Sequence, residues 1–230
     1  MEFINDTDYF DQHFLIDKAV LNDFIDACEL SIEDEIVEIG PGKGTITELL
    51  AKKGKHVTCI ELDLNLEHFI NVLKDKYKNI DVLYGNALNL YIPSCDKIIS
   101  ALPYSITEPF IEKLLRCEFK ESILIVGKRF ADNVCNKSLT KLSLLTNSFF
   151  NVEKIRDIEP NCFDPAPRVM SSIIKLKPKQ TVKTSVIGNA SHTPTSPKPN
   201  DNTKTAGIIK INPLNNETIC AGTALSTEAK

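Results

Sequence analysis

The 230-residue sequence has no apolar run approaching the roughly 18–20 residues that a membrane span requires. Its N-terminus, Met1-Glu2-Phe3-Ile4-Asn5-Asp6, lacks the basic region and apolar stretch of a cleaved signal. No C-x-x-C pair occurs, and the seven cysteines (positions 28, 59, 95, 117, 135, 162 and 220) are scattered and odd in number. A disulfide scaffold and a structural zinc site are poor readings of that pattern, which predicts reduced thiols and a cytoplasmic protein. No histidine pair, Cys/His dyad or ligand cluster points to hydrolytic or metal chemistry, and no internal repeat is visible. What is present is ordinary for a globular chain: 42% hydrophobic and 25% charged residues, which excludes wholesale disorder.

The formal net charge of −4 hides an asymmetry. Residues 1–96 carry 8 Lys/Arg against 19 Asp/Glu, a net of −11; residues 97–179 carry 14 against 9, a net of +5. Residues 180–230 carry 5 against 3. Such a split allows one face to meet a polyanion, although two solvated faces of different composition are the commoner explanation of charge alone.

Up to residue 179, short apolar runs alternate with stretches of helical period, the signature of an α/β fold with a mostly parallel sheet. Glu35–Ile39, 56–60, Ile80–Tyr84, 97–100 and 122–126 read as strands, rich in Ile and Val as strands covered on both faces should be. Thr45–Lys53, 64–77 and 107–117 read as helices, and Leu66, Phe69, Ile70 and Leu73 fall on one stripe of the second. Asp17 is placed to cap an earlier helix that buries Val20, Leu21, Phe24 and Ile25. A helix over 138–148 and a closing strand pair, 149–155 with 171–177, complete seven strands. Residues 180–230 differ: they are rich in Thr, Asn, Pro, Ser and Lys, have no aromatic residue, and show no sustained apolar period. The expected organisation is a domain over 1–179 and a polar, flexible tail over 180–230, with a marginal strand at 207–211.

The sharpest feature is Glu38-Ile39-Gly40-Pro41-Gly42-Lys43-Gly44, between a predicted strand and a predicted helix. Alternate glycines let the backbone turn tightly and approach a ligand where no side chain fits. A dinucleotide fingerprint would require glycine at position 45, where Thr45 stands. The spacing E-x-G-x-G-x-G instead suits a cofactor with an adenosine and an amino-acid part but no pyrophosphate, such as S-adenosylmethionine. Seventeen residues beyond Gly44, Glu61 closes the next strand, where a carboxylate can accept from both ribose hydroxyls; the alternative is a glycine-rich turn beside a solvent-facing acid. Asn86, after the third strand, can reach an adenine edge, but a turn-forming asparagine is the commoner explanation.

The fourth strand runs into Ala101-Leu102-Pro103-Tyr104, where open α/β sheets place their chemistry. Tyr104 can stack on a flat base, and the Leu102 carbonyl can accept from an amine beside it. Asn161-Cys162-Phe163-Asp164-Pro165-Ala166-Pro167-Arg168-Val169 is a proline-stiffened loop in which Phe163 is placed as a second wall of a base sandwich and Arg168 to meet a phosphate. For either aromatic, core packing is the competing explanation.

Together these residues resemble the rRNA adenine N6-dimethyltransferases of the KsgA type and their relatives, the Erm methylases, over about residues 11–178. Gln12-His13-Phe14-Leu15 is similar to that family's N-terminal cofactor-contacting motif, Glu38 to Gly44 to its glycine loop, and Glu61-Leu62 to its ribose-binding acid and neighbour. Leu102-Pro103-Tyr104 is similar to its target-amine motif, and 163–169 to its F-x-P-x-P-[KR]-V loop. Ser138 to Ser143 stands where the family has a helix leading to that loop. The resemblance implies a Rossmann-like class I methyltransferase sheet, S-adenosylmethionine as cofactor, and rRNA or a pre-ribosomal particle as the partner of a monomer. It places Gln12, His13, Leu15, Glu38, Gly40, Gly42, Gly44, Glu61, Leu62, Asn86 and Ala101 at the cofactor, and Leu102, Pro103, Tyr104 and Phe163 at the reacting base.

Three departures stand out. The family's target motif begins with Asn or Asp, where this chain has Ala101. Its cofactor-adenine acid is Asn86 here, and the polar stretch 180–230 stands where most members continue into a small helical domain. An adenine methyltransferase slowed by Ala101, an inert RNA-binding or ribosome-assembly factor of the same fold, and a methyltransferase for another amine all follow from these residues. The intact Gly40, Gly42, Gly44 and Glu61 favour cofactor use; Ala101 favours inertness.

Overall fold

The computed structural model describes residues 12–179. It opens on β1 (Phe14–Leu15), followed by α1 (Lys18–Ala27), whose first turn is capped by Asp17 accepting from the Val20 N–H at 2.9 Å. Val20, Phe24 and Ile25 are buried, as the spacing predicts. Two β-α units follow, β2 (Glu35–Ile39) with α2 (Thr45–Lys53) and β3 (His56–Glu61) with α3 (Glu67–Lys76), and then β4 (Ile80–Tyr84). β5 (Lys97–Ala101), α4 (Thr107–Leu114), β6 (Glu121–Gly127), α5 (Lys128–Cys135) and α6 (Lys141–Phe149) lead to β7 (Phe150–Ile158), β8 (Phe163–Asp164) and β9 (Ser171–Pro178).

Seven strands form one sheet in the order β4-β3-β2-β5-β6-β9-β7, and β1 pairs with β8 in a separate two-stranded ladder. β2 to β6 pair in parallel, while β9 runs antiparallel to both β6 and β7. Consecutive residues of each central strand point to opposite faces. Ile36, Ile99, Ile123 and Ile173 join the cluster containing Phe24 and Leu50; Val37, Ile98, Leu124 and Ile174 join the one containing Phe110 and Leu114. Both faces are covered, which is why the strands read as unbroken apolar runs.

The chain departs from the sequence reading at element ends. The stretch 64–77 is a 3-10 turn, Leu64–Leu66, capped by Asp63, and only then α3. The helix expected over 138–148 begins at Lys141 under a Thr140 cap, and a further helix, α5, precedes it. α5 is only eight residues long and buries Ala131 and Val134, with Phe130 packed against the same core cluster. β7 continues past 155 through an irregularity between Lys154 and Arg156. The expected strand at 207–211, and the boundary drawn between residues 179 and 180, lie at or outside the limit of the described residues. Among those residues no helix is long and apolar enough to cross a membrane, and no cluster of three or more His, Cys, Asp or Glu could hold a metal ion.

Candidate active site

β2 lies between β3 and β5, so the chain leaves β2 toward one edge of the sheet and later returns on its other side. The crevice at such a reversal receives the loops leaving both neighbouring strands. Here it brings the glycine loop after β2 beside Leu102–Tyr104 after β5.

The three loop glycines do different things, although all have positive φ (+67° at Gly40, +59° at Gly42, +81° at Gly44). A Cβ on Gly40 would meet nothing within 4 Å, so this position opens the backbone to the cavity. One on Gly42 would lie 3.0 Å from the Phe14 ring, which itself lines the cavity. One on Gly44 would lie 2.4 Å from Leu73 Cδ1, and Gly44 does not line the cavity. Gly44 has a packing task, seating the start of α2 against α3.

Glu61 is 5% exposed and holds the loop in place. Its Oε2 accepts from the Gly42 N–H at 3.0 Å, and its Oε1 from the N–H groups of Leu62 and Asp63 at 2.8 and 2.9 Å. Burial pushes its pKa up, against these backbone donors of Asp63, Gly42 and Leu62. A carboxylate has about four lone-pair directions, so three donors leave one for a hydroxyl. Neighbouring Asp63 accepts from the Asn65 N–H and, at 3.1 Å, from Gln12 Nε2. Glu38, within β2, does not line the cavity. It is 1% exposed and accepts from Cys59 Sγ at 3.6 Å through Oε2. Burial pushes its pKa up to about 7. The alternation of β2 explains this: Glu38 is a strand residue, and its side chain faces inward.

Asn86 lines the cavity, and its Oδ1 accepts from the Leu88 N–H at 2.8 Å. The oxygen shapes the turn, as a turn-forming asparagine does, and the residue borders the cavity as well. Ala101 closes β5 as a cavity residue, with Leu102 buried behind it and tied by its N–H to the Ile125 carbonyl at 3.1 Å.

The β1–β8 ladder joins two segments about 150 residues apart, pairing Phe14 with Asp164 and Leu15 with Phe163. It continues as Ile16 N–H to the Cys162 carbonyl at 2.9 Å, and His13 Nδ1 lies 2.8 Å from the Pro165 carbonyl oxygen. The His13 and Tyr104 rings stack with centroids 5.7 Å apart. Phe163 lines the cavity but is only 4% exposed and belongs to the core cluster, so it packs in the core while bordering the cavity. In the sequence, Phe14 is marked only as part of the Gln12 to Leu15 motif, with no role of its own, and its ring lies under Lys43 Nζ at 4.3 Å; Asp63, which holds Gln12, is not singled out there. Each stands beside a residue already singled out, and adjacency was the available signal.

All these segments border one cavity of about 400 Å³. It reaches from Gly40 and Gly42 past Glu61, Leu62 and Asn86 to Ala101, Leu102, Pro103 and Tyr104, with Gln12, His13, Leu15 and Phe163 around it. That volume is within the range of small-molecule sites.

A model of the ribosomal RNA adenine dimethylase family matches residues 5–187. The chain is 40% identical over 174 residues to a probable ribosomal RNA small subunit methyltransferase A of Methanosarcina acetivorans, covering 74% of this chain and 65% of that one. It thus spans less than two thirds of that relative. A dimethyladenosine transferase from Plasmodium falciparum superposes with a TM-score of 0.68 at 30% identity, over 73% of this chain and 64% of the other. The 23S rRNA methyltransferase ErmE shares the fold, with a TM-score of 0.67 at 24% identity over 73% and 70% of the two chains. The family match contains every segment that meets in the cavity, and on that extent the chain belongs to the ribosomal RNA adenine dimethylase family.

Proposed function

We propose that this protein transfers methyl groups from S-adenosylmethionine to the N6 amine of adenine in ribosomal RNA, most simply that of the small subunit, acting as a cytoplasmic monomer on RNA or a pre-ribosomal particle. The observation that carries the reading is the single cavity bordered at one end by Gly40 and Glu61 and at the other by Leu102 and Tyr104. The residues fit the cofactor: Gly40 opens without a side chain, Glu61 keeps a lone pair for a ribose hydroxyl, and the Asn86 amide nitrogen can donate to an adenine ring nitrogen.

Bound there, S-adenosylmethionine supplies an electrophilic methyl carbon on its sulfonium. The chain's own contribution is alignment: Tyr104 offers a face for the base, and the Leu102 carbonyl oxygen accepts from the target amine, turning its lone pair toward the methyl. Ala101 adds no acceptor. Losing one such hydrogen bond in a buried site costs about 1–3 kcal/mol, and losing a transition-state-directed group costs about 100–1000-fold in rate. Transfer is therefore slowed but retained.

Ala101 also supports a second reading, a catalytically inert factor of the same fold that binds RNA or assists ribosome assembly. Calorimetry with S-adenosylmethionine followed by labelled-methyl transfer to unmethylated small-subunit particles separates the two. Cofactor binding with label appearing in adenine supports the enzyme; cofactor binding with no label supports the inert factor.

A further inference from the structure

Resting on the reading of Tyr104 as the face on which the target base stacks, we propose that Ser171 is a positioning residue that fixes the plane of the Tyr104 ring. Tyr104 sits in a short 3-10 turn, Tyr104–Ile106, beyond the end of β5, and its backbone belongs to no strand. A ring on such a turn can rotate about its side-chain torsions, whereas stacking needs one plane. The tether is at the far end of the ring: the Tyr104 hydroxyl lies 2.6 Å from Ser171 Oγ, a short contact even for two hydroxyls.

Ser171 is itself immobilised. It is 0% exposed and opens β9, paired with Gly127 of β6 on one side and Ile158 of β7 on the other. The Lys128 N–H donates to the Met170 carbonyl at 2.9 Å, just before it. Just after it, Ser172 Oγ donates to Asp157 Oδ1 at 2.7 Å, and Asp157 is held by Lys128 at 2.6 Å and Lys154 at 3.0 Å. Hydrogen bonds from Lys128, Ser172 and Lys154 keep the Asp157 carboxyl well below the usual carboxylate range, so this anchor stays ionised at neutral pH. Gly127 completes the seat, since a Cβ there would stand 3.8 Å from Tyr104 Cδ1. A phenylalanine at position 104 would offer a similar face to a base and could keep the His13 stack at 5.7 Å, but would lose the hydroxyl link to the sheet edge.

The test is a double-mutant cycle on the full-length protein with Ser171→Ala and Tyr104→Phe, read in two ways. One is methyl transfer to RNA, with cofactor affinity and melting temperature as controls. The other is quenching of 2-aminopurine placed in an RNA oligonucleotide, which reports stacking without requiring turnover. Each single variant is expected to lower kcat/KM for RNA by about tenfold and to weaken quenching, with cofactor affinity unchanged and the double variant no worse than either single. Loss of quenching in both singles supports the tether even if the wild type transfers no methyl, which separates it from the enzyme reading. Unchanged transfer and quenching in Ser171→Ala, losses that multiply in the double variant, or a parallel fall in cofactor affinity and melting temperature would each overturn it. A wild-type chain that quenches nothing overturns the tether together with the stacking role of Tyr104.

Discussion

At the residue scale, the site separates groups by which atom is already committed. Ala101 commits nothing, and restoring an acceptor there is the most direct change available. Ala101→Asn is expected to raise methyl transfer to adenine by about tenfold or more, equivalent to at least about 1.4 kcal/mol of barrier. The gain belongs to the chemical step, so cofactor affinity measured by calorimetry stays constant. A fall in rate would show that Ala101 makes room for a bulkier acceptor. Glu61 is the opposite case, because three backbone N–H groups already depend on it. Glu61→Ala is expected to weaken cofactor binding by about 1.5–3 kcal/mol, the range for hydrogen bonds to a charged group, and to lower the melting temperature of the ligand-free protein as well. Wild-type affinity in that variant would remove the carboxylate from the cofactor site.

Glu38 makes a pH prediction whose sign follows from burial. Its folded pKa of about 7 lies above the usual 4.5, so the folded chain binds more protons than the unfolded one between those values. This group's contribution to stability therefore falls as pH rises from about 4.5 to about 7 and is constant above, by at most about 3 kcal/mol. Glu38→Gln has no such titration, so its stability relative to wild type, from denaturant unfolding at pH 5 and pH 8, is expected to improve with pH. An equal difference at both pH values would show that Glu38 does not titrate there.

At the scale of elements, boundaries depend on capping and site geometry on strand pairing. Asp17 caps α1 through one side-chain bond to the Val20 N–H. Asp17→Ala is expected to cost about 1 kcal/mol of stability, read from the denaturant midpoint, while S-adenosylmethionine affinity stays unchanged. A large affinity loss would mean that α1 is coupled to the cavity. The β1–β8 ladder carries more functional weight than its two-residue strands suggest. It places Gln12, His13 and Leu15, from the start of the described chain, beside Phe163 near its end. Strands this short carry no periodicity, so only the resemblance of Gln12 to Leu15 and of the 163–169 loop to known motifs marked them in advance.

At the scale of the whole molecule, the sheet is completed by β9 and β7, and just after β9 the Lys179 N–H donates to the Phe149 carbonyl at 2.8 Å. Truncation after Lys179 is expected to leave a domain that unfolds cooperatively and binds S-adenosylmethionine as the full chain does. Circular dichroism melts of both lengths check this, and loss of the cooperative transition would move the domain boundary into residues 180–230. The charge asymmetry also belongs to this scale, since Lys/Arg exceed Asp/Glu over 97–179. If that excess meets the RNA backbone, RNA affinity weakens steeply with added salt while cofactor affinity changes little.

The amino-acid sequence alone determined the α/β class, the five parallel strands and the identity of the glycine turn, because these rest on local properties: β-branched runs, helical spacing, and glycine where other residues are strained. It also marked Glu61, Asn86, Tyr104 and Phe163 as site residues. Only the tertiary structure decided what each one does, because that depends on which groups approach from distant segments. Glu38 and Gly44 belong to the same short motif as Gly40, yet strand alternation turns the Glu38 side chain into the core and the α3 side chain Leu73 occupies the space beside Gly44. Glu61 is held by the loop it supports, Asn86 has its oxygen committed to a turn, and Tyr104 is tethered to a serine 67 positions away. Such pairings are set by sheet order and by packing across the crevice, and no local pattern encodes them.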